Sequence, residues 1–178
     1  MNIGIIGFGG MGKTHAYAVD NLKYFYKALP FTLTGAQSRA IGEIAGDLSR
    51  GAPMNRLVQG DVGSGKTMVA AAAAYLAVIN GHQVALMAPT EILAEQHYHS
   101  LSKLFAPIGL RTVLLTGSMT PKQKQQVRTA LANGEADLAI GTHALLSDAT
   151  QFADLGLVIA DEQHRFGVAQ RAKLSAKG

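Results

Sequence analysis

RLVQGDVGSGKT, Arg56 to Thr67, is the stretch that decides the fold. From Gly60 it satisfies G-x-x-x-x-G-K-[ST], in which glycines let backbone N–H groups close around phosphate oxygens at the start of a helix. Such a loop needs a strand in front of it and a helix behind it. Arg56–Gln59 supplies the strand, and Gly65–Ile79, with its alanines from Ala70 to Ala74, supplies the helix. Gly60, Gly63, Ser64, Gly65, Lys66 and Thr67 are therefore the nucleotide-binding candidates. Lys66 is placed to reach the β- and γ-phosphates, and the Thr67 hydroxyl to bind Mg²⁺.

A phosphate loop gains a reaction when an acid at the end of a neighbouring strand completes the metal site. Leu155–Ala160, reading LGLVIA, is a buried-type strand that delivers Asp161 and Glu162 at its carboxyl end. Ligands of open α/β sheets bind at that edge. Asp161 is expected to hold Mg²⁺ with Thr67, directly or through water. Glu162 is expected to orient and activate the attacking water for in-line phosphoryl transfer. Lys66, Asp161 and Glu162 form the catalytic set of this reading.

Working outward, short apolar runs alternate with longer helical stretches, which predicts an α/β fold, three-layered, with a mainly parallel sheet. Strands are predicted at Asn2–Ile6, Arg56–Gln59, Gln83–Met87, Arg111–Leu115, Asp137–Ile140 and Leu155–Ala160. Helices are predicted at about Met11–Lys27, Ala36–Leu48, Gly65–Ile79, Glu91–Phe105 and Pro121–Ala132. Asn80-Gly81 reads as a helix stop. Thr120-Pro121 with Gln123 reads as an N-cap, a first-turn proline and a capping-box partner.

A second loop complicates the picture. GFGGMGKT, Gly7 to Thr14, satisfies the same phosphate pattern, and through Gly7, Gly9 and Gly12 also the dinucleotide pattern G-x-G-x-x-G. Its context, a strand at Asn2–Ile6 and a helix from Met11, is correct. A dinucleotide site also needs an acid about twenty residues on to hold the ribose. Asp20 falls inside the predicted helix, and the next run, FTLTGAQSR, has no acid. It does carry Ser38 and Arg39, which suit a 2′-phosphate and hence NADP. This leaves two readings of the first loop: a working NAD(P) site, or a βα unit that keeps its glycines for turn geometry.

The 178 residues have room for one sizeable α/β domain, or one domain and a fragment of another, and 48% hydrophobic content sustains a packed core. The absence of cysteine excludes a disulfide framework and a cysteine zinc site, and suits a reducing cytosol. Met1–Gly12 lacks the basic start of a signal peptide, and the apolar stretch between Lys66 and Asn80 is too short to span a bilayer. A soluble, cytoplasmic protein with no membrane partner is expected. The formal charge of +4 is uneven. No acid lies between Glu95 and Glu135, where Lys103, Arg111, Lys122, Lys124 and Arg128 fall. Arg165, Arg171, Lys173 and Lys177 follow Glu162, again without an acid. These stretches read either as solvated helix faces or as tracks for a nucleic-acid backbone.

From about Leu29 to Gly178 the chain resembles the first motor lobe of RecG-type ATP-dependent DNA helicases, in helicase superfamily 2. LPFTLTGAQ, RLVQGDVGSGKT, VALMAPTEILAEQH, IGTHALL and DEQHRFGVAQR carry the likeness in that family's order. Met1 to about Ala28 resembles the opening βα unit of Gfo/Idh/MocA-type NAD(P)-dependent oxidoreductases. The two likenesses imply a composite chain: a Rossmann-type βα unit at 1–28, then a RecA-like ATP-binding lobe at 29–178. The helicase resemblance implies ATP and Mg²⁺ as cofactors, a DExH-type box at Asp161–His164, and a role in DNA repair and recombination. It implies adenine recognition by Gln37, whose amide both donates and accepts. It implies DNA-backbone contacts at Pro89, Thr90, Thr116, Gly117, Gly141, Thr142 and His143, and coupling of the ATP site to DNA through Gln163 and His164. No second His, Cys or acid is spaced to make a zinc site with His164, and His15, His82, His97 and His99 read as surface or structural residues.

A RecG-type enzyme also has a wedge domain ahead of this lobe and a second lobe behind it. Neither is expected within these residues, so weak DNA binding, very slow hydrolysis, no unwinding and possible self-association are expected. Two alternatives stay open: an NAD(P)-binding oxidoreductase fragment, and a folded module with no activity.

Overall fold

The chain runs β1 (Asn2–Gly7), α1 (His15–Ala28), α2 (Gly35–Leu48), β2 (Met54–Gln59), α3 (Lys66–Ile79), β3 (Gln83–Met87), α4 (Glu91–Phe105), β4 (Thr112–Leu115), α5 (Pro121–Ala132), β5 (Leu138–Gly141) and β6 (Leu155–Asp161). Short 3-10 turns occupy Ala106–Ile108 and His143–Leu146. The computed structural model describes residues 2–7, 15–50, 52–61, 63–162 and 173, with backbone alone at 15–19. The predicted start of α1 at Met11 lies outside the described residues.

The helix ends follow local chemistry. Thr120 accepts from the N–H of Gln123 while the Gln123 side chain accepts from Thr120, the reciprocal capping box read from the sequence. Asn80 ends α3, and Gly81 turns the chain away at φ 91°. A second capping box, Thr34 with Gln37, starts α2. Gln37, expected from the helicase resemblance to read adenine, is here also a capping-box partner.

All six strands form one sheet in the order β2–β1–β6–β3–β5–β4. β6, β3, β5 and β4 are mutually parallel. β1 is antiparallel to both of its neighbours, β2 and β6. β2 therefore runs in the same direction as β6, and β1 is the one reversed strand in an otherwise parallel sheet. The carboxyl ends of β2, β6, β3, β5 and β4 share one edge of the sheet, called the carboxyl edge below.

Alternate residues along each strand face opposite sides. Val84, Leu86, Leu138, Ile140, Leu157 and Ile159 join the larger core cluster under α1, α2, α3 and α4. Ala85, Met87, Ala139 and Val158 join a second cluster with Leu131 of α5 and the turn Ala144–Leu146. Helices thus lie on both faces, and the layers are three. β1 and α1, expected ahead of this lobe, are built into it. Ile3, Ile5, Leu22 and Phe25 are buried in the larger cluster with α3. The Phe25 ring stacks on Tyr75 at a centroid distance of 5.5 Å and approaches Phe105 at 6.4 Å.

Candidate nucleotide site and nucleic-acid interface

The loop after β2 has the backbone its glycines were read for. Gly63 and Gly65 are left-handed, at φ 80° and 76°, a region that excludes most side chains. A Cβ on Gly65 would collide with Gln37 Nε2, and one on Gly60 would lie 2.6 Å from Ser64 Oγ. Gly65 is the N-cap of α3, and no side chain caps it. The first amides of α3 are therefore left for a ligand, at the end of the helix that favours negative charge.

Lys66 occupies the middle of this loop. Its Nζ donates to the carbonyl oxygens of Gly60 and Asp61, both at 2.6 Å, and to Ser64 Oγ at 3.2 Å. The residue is only 8% exposed. Among the described residues no carboxylate pairs with it, so a nearly buried ammonium is balanced by neutral oxygens alone. Burying a charge in that way is costly, and an anion placed in the loop supplies the missing countercharge. That requirement, with the open helix start, fits a polyphosphate. Thr67 follows Lys66 in the first turn of α3 and is half-buried.

Gln37 closes the loop from outside. Its Nε2 donates to Ser64 O at 3.2 Å and to Gly65 O at 3.4 Å, while its Oε1 accepts from Thr34 N at 2.8 Å. The start of α2 is thereby pinned to the phosphate loop. As it stands the amide reads the loop itself.

Asp161 ends β6 on the same edge of the sheet. One strand, β1, separates β6 from β2, so the two strand ends stand about 10 Å apart by ordinary strand spacing. Asp161 is 5% exposed, and both of its carboxylate oxygens are engaged. Oδ1 accepts from the N–H of Glu162 at 3.0 Å, and Oδ2 lies 2.8 Å from His97 Nε2. A carboxylate has about four lone-pair sites, so lone pairs remain for a metal ion or its water. Glu162 has φ 51°, and among the described residues it is the only non-glycine with positive φ. Such a backbone costs on the order of 1–3 kcal/mol and concentrates at functional sites. His97, read from sequence as surface or structural, is half-buried on α4 and reaches the acid. Gln163 and His164 lie outside the described residues.

The other expected contacts gather further along the carboxyl edge, after β3, β4 and β5. Thr90 caps α4, its Oγ1 accepting from Leu93 N at 3.3 Å. The next residue, Glu91, accepts from Ser118 N at 3.0 Å. Hydrogen bonding from the Ser118 side chain, helped by the Ser118 and Gly117 backbone, holds the Glu91 carboxyl below the usual range, with desolvation acting in the opposite direction. The Ala88 N–H donates to Gly141 O at 2.8 Å, and Thr142 N donates to Leu115 O at 3.3 Å. The three segments Ala88–Glu91, Thr116–Ser118 and Gly141–His143 are therefore one corner. Gly117, Thr90 and His143 are exposed there and Pro89 is half-buried, whereas Gly141, Thr116 and Thr142 are buried. The Thr142 hydroxyl is buried and has no hydrogen-bond partner among the described residues.

Beside this corner lies a groove of about 510 Å³ lined by Gly117, Lys124, Arg128, His143, Ser147 and Lys173, among others. The basic interval of the sequence is split by the fold. Lys124 Nζ donates to Gly117 O at 2.6 Å, on the carboxyl edge. Arg111 precedes β4 at the opposite edge and is held by Asp137, Nη2 to Oδ1 at 2.8 Å and Nε to Oδ2 at 3.1 Å. A roomier cavity than this groove, about 750 Å³, lies elsewhere, between α2 and β2. Its walls carry Arg56, paired with Glu43 and Asp47, and Arg50, paired with Asp47. We assign that network to structure, because its charges already satisfy one another.

Gly7, the residue at which the first glycine loop begins, is not on the nucleotide edge. Gly7 pairs with Met54 and Leu157, at the amino ends of β2 and β6. β1 thus delivers its carboxyl end to the edge opposite Lys66 and Asp161. Gly9 and Gly12 lie outside the described residues. Ser38 and Arg39, the candidates for a 2′-phosphate, stand in the first turns of α2, which Gln37 ties to the second loop. The expected NADP pairing of Gly7 with Arg39 would have to reach across the sheet.

The DEAD/DEAH box helicase family model matches residues 34–177. Over 167 residues the chain is 53% identical to the ATP-dependent DNA helicase RecG of Bacillus subtilis (strain 168), covering 94% of this chain and 24% of that protein. The protein of the same name from Streptococcus pneumoniae is 56% identical over 169 residues, covering 95% and 25%. These alignments reach back into Met1–Ala28. The chain spans about a quarter of the length of these curated relatives. A solved structure, RecG bound to a three-way DNA junction, superposes with a TM-score of 0.77 at 48% identity, over 84% of this chain and 20% of that one.

Proposed function

The chain belongs to the DEAD/DEAH box helicase family, and we propose that it is the ATP-binding first motor lobe of a RecG-like superfamily 2 DNA helicase. The observation that carries this reading is the common edge. The Lys66 loop ends β2 and the Asp161–Glu162 pair ends β6, and both strands point the same way. In the proposal the α3 amides, Gly60–Gly65 and Lys66 hold the phosphates of ATP. Thr67 and Asp161 would hold the metal ion, which would supply positive charge against the phosphates. Glu162 positions the attacking water and takes its proton. Gln37 reads the base by exchanging its loop carbonyls for the ligand, and Gln163 and His164 couple the site to DNA. The corner at Pro89–Thr90, Thr116–Gly117 and Gly141–His143 faces the DNA backbone, binding weakly and with strong salt dependence. The buried Thr116 and Thr142 serve this role through the backbone and by shaping the corner.

Titration of a fluorescent ATP analogue with Mg²⁺ into the purified chain tests the reading, alongside Lys66→Ala and Lys13→Ala. Loss of a charge-assisted contact predicts a weakening of roughly 10–150-fold for Lys66→Ala and none for Lys13→Ala. Equal affinity in Lys66→Ala and the unmodified chain, or a loss confined to Lys13→Ala, would sink it, and NADPH would then be the ligand to test.

A further inference from the structure

We infer that His97 is a positioning residue for the Asp161 carboxylate, setting the oxygen that faces the metal ion. The inference rests on the nucleotide-site reading above and adds a residue to it. The contact is short, 2.8 Å from His97 Nε2 to Asp161 Oδ2, and both side chains are largely withdrawn from water, at 15% and 6% exposure. The carboxylate oxygen is the acceptor, so Nε2 carries the hydrogen.

The geometry explains why a partner is needed. Asp161 is the last residue of β6, followed at once by the left-handed Glu162. A side chain at a strand end has more than one rotamer open to it, and the Glu162 N–H at 3.0 Å restrains only Oδ1. A second donor on Oδ2 removes the remaining freedom about the carboxyl plane. With both oxygens held, the lone pairs left over point in fixed directions. Outer partners of this kind orient ligating carboxylates and tune the affinity for the metal.

The donor is itself well anchored. His97 lies on the buried side of α4 with Ala94 and Leu101, both at 0% exposure, so the helix cannot turn the ring away without exposing that side. The same helix begins at Thr90 and Glu91, in the corner that holds Ser118. His97 therefore connects the acid to a rigid element rather than to a loop.

The test is nucleotide affinity measured twice, with Mg²⁺ and with EDTA, using a fluorescent ADP analogue. The chain itself, His97→Ala, His97→Gln and Asp161→Asn are compared, with a thermal melt for each. Gln at this position keeps an N–H donor at a reach similar to Nε2. We expect His97→Ala to lower the gain in affinity from Mg²⁺ by about 10–100-fold, as removal of an outer partner does, with affinity in EDTA unchanged. His97→Gln should keep most of that gain, and Asp161→Asn should lose it. A full Mg²⁺ gain in His97→Ala overturns the inference. So does an equal loss in His97→Ala and His97→Gln, or a loss that appears in EDTA as well, since a structural role produces both. An unmodified chain that binds no nucleotide in either buffer overturns the nucleotide reading itself, and the inference with it.

Discussion

Two units of this chain share one sequence pattern, strand, glycine loop and helix, yet stand in the sheet head to tail. β2 leads into Gly60–Thr67 and α3 at the carboxyl edge, where Asp161 arrives from β6. β1 leads out of Gly7 at the opposite edge, with Asn2 and Ile3 beside Gln59 and Asp161. A glycine motif supplies a turn that suits phosphate. Strand direction decides whether an acid and a metal site can reach that turn. The local pattern is the same in both units, and long-range pairing makes the difference. β1 and α1 serve the lobe by filling it: a strand between the two site-bearing strands, and a helix that puts Phe25 against Tyr75 and Phe105.

The sharpest way to break this contrast is to remove what makes the first unit architectural. Phe25 is fully buried among α3 and the end of α4, in a segment that the sequence alone sets apart. Phe25→Ala should lower stability by about 3–5 kcal/mol, the range for truncating a buried aromatic. Urea denaturation followed by circular dichroism measures it. A loss of about 0.5 kcal/mol or less, within the range of surface substitutions, would mean that α1 is only loosely docked and would favour the division at Ala28.

A smaller effect separates the two loops at their glycines. Gly65→Ala forces a Cβ into a left-handed residue, at about 1–2 kcal/mol, and drives it against the Gln37 amide. Gly7 carries no positive φ, and a Cβ there would meet the tip of Leu48 at 3.0 Å, which a side chain can relieve. Gly65→Ala should therefore lower both the melting temperature and affinity for the ATP analogue. Gly7→Ala, which crowds a buried strand end, should cost on the order of 1 kcal/mol and leave affinity alone. Equal losses of affinity in the two variants would contradict the assignment of Gly7 and Gly65 to opposite edges.

Much of this was legible in residue pattern. Buried strands such as LGLVIA are unbroken apolar runs, and every predicted strand is found within two residues at either end. The phosphate loop and its acid were legible because each has a spacing of its own. The direction of β1 was not, since a βα unit looks alike whichever way its strand is paired. His97 left a faint signal: it falls on the same helical side as Ala94, Leu101 and Phe105, where a polar residue needs a partner. Its partner lies 64 residues away, so the sequence could not name it. Thr34-Gly-Ala-Gln37 does spell a capping box, a local signal that a residue carrying a ligand role by resemblance can hold at the same time. Burial of Thr116 and Thr142 follows from strand ends tucked under neighbouring loops, which no local window shows.

The smallest expected effect extends the same lesson from glycines to charges. Arg111 and Lys124 stand in one acid-free interval of sequence, and the fold sends them to opposite edges. Arg111 is exposed but already paired with Asp137, whose carboxylate is the main cause of its raised pKa. Among the described residues Lys124 donates to the Gly117 carbonyl alone, and it lines the groove beside His143. A polyanion lying along the corner would meet the second cation and not the first. Lys124→Gln should weaken binding of a single-stranded oligonucleotide uniformly across sequences and reduce the salt slope by roughly one, the share of one phosphate contact. Arg111→Gln should leave that slope unchanged and lower stability by about 1 kcal/mol or less, as for exposed pairs. Fluorescence anisotropy at several salt concentrations reads both. A slope that falls equally in the two variants would mean that nucleic acid follows the basic stretch of the sequence rather than the edge of the sheet.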